Sequence, residues 1–262
     1  MAARLTPSLL LVALLAACSG GAGGEASADE TATADGPPFM RTLEMSRELV
    51  RSADPSALHQ VEPRGRGERS MYDRRVAAYV TVEAYLFHAS FDDGQSFEVQ
   101  VNPEFGSAER AQAEATFFAT EIGRLPTALR MGILQVWIHD GEGRFAGDNN
   151  GLLIHLAEAA KFVEEGTLEE HLMHEAVHAS IDPNYATSVG WQRAVAADGR
   201  FISQFAERFP EREDLAESYL AWMVLRQRPQ RTSPAVRQSI EGTIPARIAF
   251  FDQLEMPMHP FE

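Results

Sequence analysis

Within residues 171–180, HLMHEAVHAS, two histidines stand four apart with a glutamate directly after the first: His174-Glu175-Ala176-Val177-His178. Four residues are about one helical turn, so on a helix both imidazoles project from one face. Their nitrogens can then converge on a single ion at roughly 2.0–2.1 Å. Glu175 is rotated by about 100° from its neighbour. A carboxylate there reaches past the ion to a bound water, where a base is needed. His171, three residues before His174, approaches the same face and is a further candidate ligand.

A catalytic metal needs a third protein ligand and one position left open. Residues 211–222 read EREDLAESYLAW and follow Pro210, a good helix-starting residue. Glu213 and Glu217 share a face there, with Leu220 and Val224 continuing toward the core. Two carboxylates on the partly buried side of a helix are costly unless something positive or hydrogen-bonding meets them. One zinc ion per chain, with its histidines, meets both. One glutamate ligates, while the other accepts the free N–H of a ligating imidazole and fixes its tautomer. On spacing alone, either glutamate can be the ligand. The bland alternatives are an exposed charged face at 213 and 217 and a fortuitous motif on an exposed helix. Leu168, Leu172, Ala176 and Val177 argue against the second, because they make the motif helix a core helix.

These side chains need a scaffold. Thr167 with Glu170 has the spacing of a capping box, which starts the motif helix at Leu168, and Asp182-Pro183-Asn184 ends it. Upstream, VEAYLFHASF and QSFEVQV flank Asp92-Asp93-Gly94, a hairpin turn signal. Ser107 can cap a helix running to about Ile122. ILQVWIH (133–139) and GLLIHL (151–156) read as strands, with Asn149-Asn150-Gly151 as the turn into the second. His139 and His155 read as facing-side polar residues of these strands. A short amphipathic helix is expected over Met40–Ala53 and a polar, arginine-rich link over Glu62–Arg69. Beyond residue 157 the chain reads as mostly helical. The plan is α+β in one domain over 39–262, a small mixed sheet followed by helices.

Composition narrows the partners. The 262 residues carry a formal net charge of −15 with no basic stripe, which excludes a nucleic-acid partner. Residues 1–17 carry Arg4 and an apolar stretch from Leu9 to Ala17, too short for a permanent span and built like a secretory signal. Leu15-Ala16-Ala17-Cys18 resembles a bacterial lipobox, which implies lipidation of Cys18 and a membrane anchor. That places the domain at the bacterial cell envelope, at the outer membrane, in the periplasm or on the surface. Cys18 is the only cysteine, so no intramolecular disulfide forms. The remainder of 18–38, small and acidic, reads as a flexible linker.

His174–His178 together with Glu213-Asp214-Leu215-Ala216-Glu217 resembles the gluzincin branch of the zincin metallopeptidases, including the anthrax lethal factor catalytic domain and the Pro-Pro endopeptidases. The resemblance covers roughly 130–225 and rests on motifs alone. It implies a zincin-like fold, peptide-bond hydrolysis with Glu175 as base, and zinc held by His174, His178 and Glu213, with Glu217 behind them. It also implies a strand before the active-site helix at the cleft edge, here Leu152, Leu153 and Ile154, pairing with an extended peptide substrate. Those enzymes carry a tyrosine shortly before the third ligand. Here Phe205 stands near that place, and Tyr219 and Tyr185 are the nearest substitutes. That departure keeps a second expectation open, a zinc-binding envelope lipoprotein of the same fold without catalysis.

Overall fold

A long hairpin opens the sheet, one strand of it exposed along most of its middle. The structure is a computed structural model that describes residues 36–261 except 47 and 149. The expected signal peptide, Cys18, most of the linker and Asn149 lie outside the described residues. After a short helix α1 (Thr42–Ser46), strand β1 (Leu58–Asp73) pairs antiparallel with β2 (Ala78–Phe91), and β2 with β3 (Ser96–Val101). The β2–β3 turn falls at Asp92-Asp93-Gly94, with Gly94 at φ +83°.

Two expectations are corrected here. The helix near residue 40 is only Thr42–Ser46, and the arginine-rich link is part of β1. Polarity hid this strand because β1 is the sheet edge, paired on one side only and exposed along most of its middle. Its arginines lie across its neighbours rather than in a loop. Arg69 makes two 2.8 Å bonds to Glu98 of β3, and Arg66 covers the Tyr85 ring at 4.7 Å. The register shifts between Pro63 and Gly65, where Gly65 takes φ +83°, the mark of a bulge.

Ser107 caps α2 (Ala108–Gly123) by accepting from the Arg110 N–H. After α3 (Thr127–Arg130) come β4 (Gln135–His139), β5 (Ala146–Asp148) and β6 (Gly151–His155). The strand order is β1-β2-β3-β4-β6-β5, with β3, β4 and β6 parallel and β5 antiparallel to β6. Thus β6 is interior, with Leu152, Leu153 and Ile154 buried and paired on both sides. The expected edge strand at 152–154 is therefore corrected. The edge belongs to the three-residue β5, too short and too glycine-containing to signal a strand.

The rest is helical: α4 (Leu156–Glu165), α5 (Leu168–Ser180), α6 (Asp182–Tyr185), α7 (Val189–Asp198), α8 (Gln204–Arg208), α9 (Asp214–Arg226), α10 (Pro234–Thr243) and α11 (Pro245–Asp252). The molecule is thus α+β with a six-stranded mixed sheet. One core joins the inner sheet face (Phe87, Val99, Val136, Ile154) to α2, α5 and α9. Every residue of α9 from Asp214 to Leu225 is buried, so it is a central helix without a solvent face. None of the helices among the described residues is long and apolar enough to cross a membrane.

Helix α5 begins at Leu168 as expected, but the capping box does not form. Thr167 makes no side-chain cap bond, and Glu170 is fully buried, accepting from the Val50 N–H at 3.1 Å. Tertiary burial has taken the glutamate away from its own helix end. Burial pushes the Glu170 carboxyl up to about 8, against the opposing pull of the Val50 N–H. An acid whose folded pKa lies above its unfolded one contributes fully below the ordinary value of 4.5, and the contribution is lost as pH rises through about 8. Glu170→Gln keeps an oxygen acceptor without the charge. Urea titrations at about pH 5 and pH 8.5 are expected to show a smaller loss of stability on raising the pH than in the wild type; an unchanged difference contradicts this.

Candidate metal centre

Helices α5 and α9 lie side by side and carry the site between them. On α5, His174 is buried and His178 half-buried; Glu213 caps the start of α9, with its side chain only 1% exposed. His174 Nε2 lies 3.2 Å from His178 Nε2 and 3.2 Å from Glu213 Oε2, and His178 Nε2 lies 3.3 Å from that same oxygen. Two imidazole nitrogens and a carboxylate oxygen so close need a positive charge between them. Burial works against charge on both histidines, yet the Glu213 carboxylate, and for His178 also Asp182, raises them above the ordinary value. Burial alone would push Glu213 up, but the two imidazoles hold it well below the usual carboxylate range.

A metal ion fits that place. A triangle with sides of 3.2–3.3 Å has its centre about 1.9 Å from each corner. Zinc bonds to imidazole nitrogen and carboxylate oxygen run roughly 2.0–2.2 Å, so the three atoms are spaced as a metal ion would require. His174, His178 and Glu213 thus form a buried group that can hold a metal ion.

The surrounding shell orients the ligands. Glu217, fully buried, places Oε1 3.7 Å from His174 Nδ1, and neither atom has a hydrogen-bond partner. Its Oε2 accepts from the Thr42 N–H at 2.8 Å. His178 Nδ1 lies 2.7 Å from Asp182 Oδ2. Sequence reasoning gave Asp182 only a role in ending the helix; its i+4 spacing from His178 was the signal that it shares the face. Arg247 fixes the start of α9. Fully buried, it donates to Asp214 Oδ2 at 2.9 and 3.1 Å and to Asp198 Oδ2 at 3.0 Å. Burial pushes Asp214 up to about 6 although Arg247 opposes it.

Glu175 points toward the sheet edge. Its Oε2 accepts from the Gly147 N–H at 2.7 Å, so this donor of β5 serves the glutamate rather than β6. Gly147 is required here, because an added Cβ would lie 1.7 Å from the Glu175 carbonyl oxygen. The loop leading into β5 is tied down by Arg75, which donates to the Asp140 carbonyl at 2.9 Å and pairs with Asp73 and Glu104.

The other candidates fall elsewhere. His171 bonds the Thr167 carbonyl through Nδ1 at 2.8 Å and stacks on Phe162 at 3.5 Å, outside the triad. His139 and His155 stack on each other at 5.1 Å, fully buried rather than on a polar face, and burial holds both down, His155 to about 4. Tyr219 packs against Trp222 and Phe251 with its hydroxyl buried and unbonded, and Tyr185 packs against Phe250. Phe205 lies under the Arg41 guanidinium at 4.1 Å. At the rim, half-exposed Arg212 sets Nη2 3.9 Å from Glu213 Oε1.

Comparison with protein-family models, curated proteins and solved structures finds no match for this chain. The functional reading therefore rests on the geometry.

Two outcomes follow. Asp182→Ala frees the far nitrogen of His178 and is expected to weaken zinc binding roughly 10–100-fold in competition with a chromophoric chelator. Gly147→Ala forces β5 and α5 apart and is expected to destabilise the protein by about 1–3 kcal/mol in chemical denaturation.

Proposed function

We propose that this chain is a zinc-dependent peptide hydrolase of gluzincin type, held at a bacterial envelope by a lipid on Cys18. The observation that carries the reading is the position of Glu175, on the same helix as two members of the His174–His178–Glu213 triad and accepting from the Gly147 N–H of β5. Pure metal storage needs no carboxylate there. Zinc held by the triad supplies a Lewis acid for the scissile carbonyl and lowers the pKa of water toward about 7. Glu175 takes a proton from the attacking water and passes it to the leaving amine. Glu217 and Asp182 keep the two imidazoles turned so that both Nε2 atoms face the ion. Strand β5 lies at the margin of the sheet beside the motif helix, and an extended peptide could pair only with the main-chain groups there that Glu175 does not occupy.

One observation favours a different reading, a zinc-holding lipoprotein without catalysis: the tyrosines near the third ligand pack into aromatic neighbours, and Phe205 has no hydroxyl. Cleavage of a diverse peptide library, with and without chelator, separates the two. Glu175→Gln is expected to retain one zinc per chain and to lose hydrolysis by roughly 10²-fold or more. Cleavage at wild-type rates in that variant would sink the mechanism.

A further inference from the structure

The segment through which the chain enters the domain is fastened to both helices that carry the metal group. Phe39 bridges to Ser203, its carbonyl accepts from the Gln204 N–H at 2.9 Å, and the Met40 carbonyl accepts from Phe205 at 3.2 Å. Arg41 covers Phe205 at 4.1 Å, and Val50 donates to Glu170 of α5 at 3.1 Å. Between these anchors, the Thr42 N–H points at Glu217 Oε2 of α9 from 2.8 Å. Thr42 stands first in α1, where a main-chain N–H has no partner within its own helix.

Glu217 has no exposure to water, so its carboxylate depends on protein donors for its orientation. One oxygen takes the Thr42 N–H, and the other faces His174 Nδ1. A proton on Nδ1, the nitrogen that faces that carboxylate at 3.7 Å, would leave the Nε2 lone pair for an ion.

We propose that the main-chain N–H of Thr42 is a positioning group for the metal centre, acting through Glu217 on His174, so that the entering segment is built into the site. The inference rests on the reading of the triad as a metal site. Its consequence is that metal affinity responds to how the segment around Thr42 is seated, although Thr42 is not a member of the triad. The anchors at Phe39, Met40, Arg41 and Val50 hold the segment independently of the Thr42 bond, so losing one N–H does not detach it.

The test exchanges Thr42 for its α-hydroxy acid, which replaces the N–H by an ester oxygen, in the full chain. Zinc affinity is measured by competition with a chromophoric chelator, ligand geometry by the visible spectrum of the cobalt-loaded protein, and folding by thermal unfolding of the metal-free protein. The ester is expected to bind zinc roughly 10–100-fold more weakly, with an altered cobalt spectrum. In a Glu217→Ala background it is expected to cause no further loss, since the coupling then has nothing to act through. Thr42→Pro, which also lacks the N–H at a helix position tolerant of proline, serves if the ester does not fold. Thr42→Ala keeps the N–H and is expected to retain wild-type affinity. Wild-type affinity in the ester, or an equal loss in both backgrounds, overturns the proposal. A wild-type protein that binds no zinc instead removes the metal reading beneath it.

Discussion

Two glutamates one turn apart on a helix with no solvent face set the terms for the rest of this molecule. Glu213 and Glu217 cannot reach water, and an uncompensated buried charge costs several kcal/mol. Their partners must therefore come from neighbouring elements. Helix α5 provides two imidazoles, the entering segment an N–H, and the position between the imidazoles and Glu213 could take a cation. The same requirement explains why α9 begins under the control of a buried arginine. Arg247 holds Asp214 and Asp198 together, so Glu213 at the helix start sits on a fixed backbone rather than a swinging loop.

The sheet serves this centre from one end only. Parallel strands β3, β4 and β6 build the layer that α5 packs on, and the reversed strand β5 brings a main-chain N–H to Glu175. The loop before β5 is braced by Arg75 from beyond the end of β1, so the first hairpin of the chain reaches across to steady the strand next to the glutamate. Rigidity in the surrounding frame is what a preorganised site requires.

Local signals made the site legible. The His174–His178 spacing, the glutamate pair at 213 and 217, the Asp92-Asp93-Gly94 turn and the Ser107 cap each depend on residues within a turn or two, and the structure places all of them as their spacing suggests. What could not be read depends on contacts distant in sequence. Strand β1 looked like a link because its exposed middle carries no alternating apolar face. Glu170 had the spacing of a cap but was drawn instead to the backbone of Val50. Leu152–Ile154 looked like an edge because nothing in the sequence announced the short β5 outside it. The Thr42–Glu217 bond spans 175 positions and uses a main-chain donor, so no side-chain pattern could betray it.

The two margins of the sheet differ in a way that bears on how the protein behaves among its own copies. A sixteen-residue edge such as β1 would ordinarily invite strand-to-strand aggregation. Pro63 removes a donor, the bulge at Gly65 breaks the ladder, and Arg64, Arg66, Glu68 and Arg69 crowd charge along the same stretch, so another β1 finds no continuous template. The opposite margin is only three residues long and meets Glu175 of α5. Self-association by sheet extension is thereby discouraged at the long margin, while the short margin, with its Gly147 N–H already given to Glu175, offers an incoming strand little to hold.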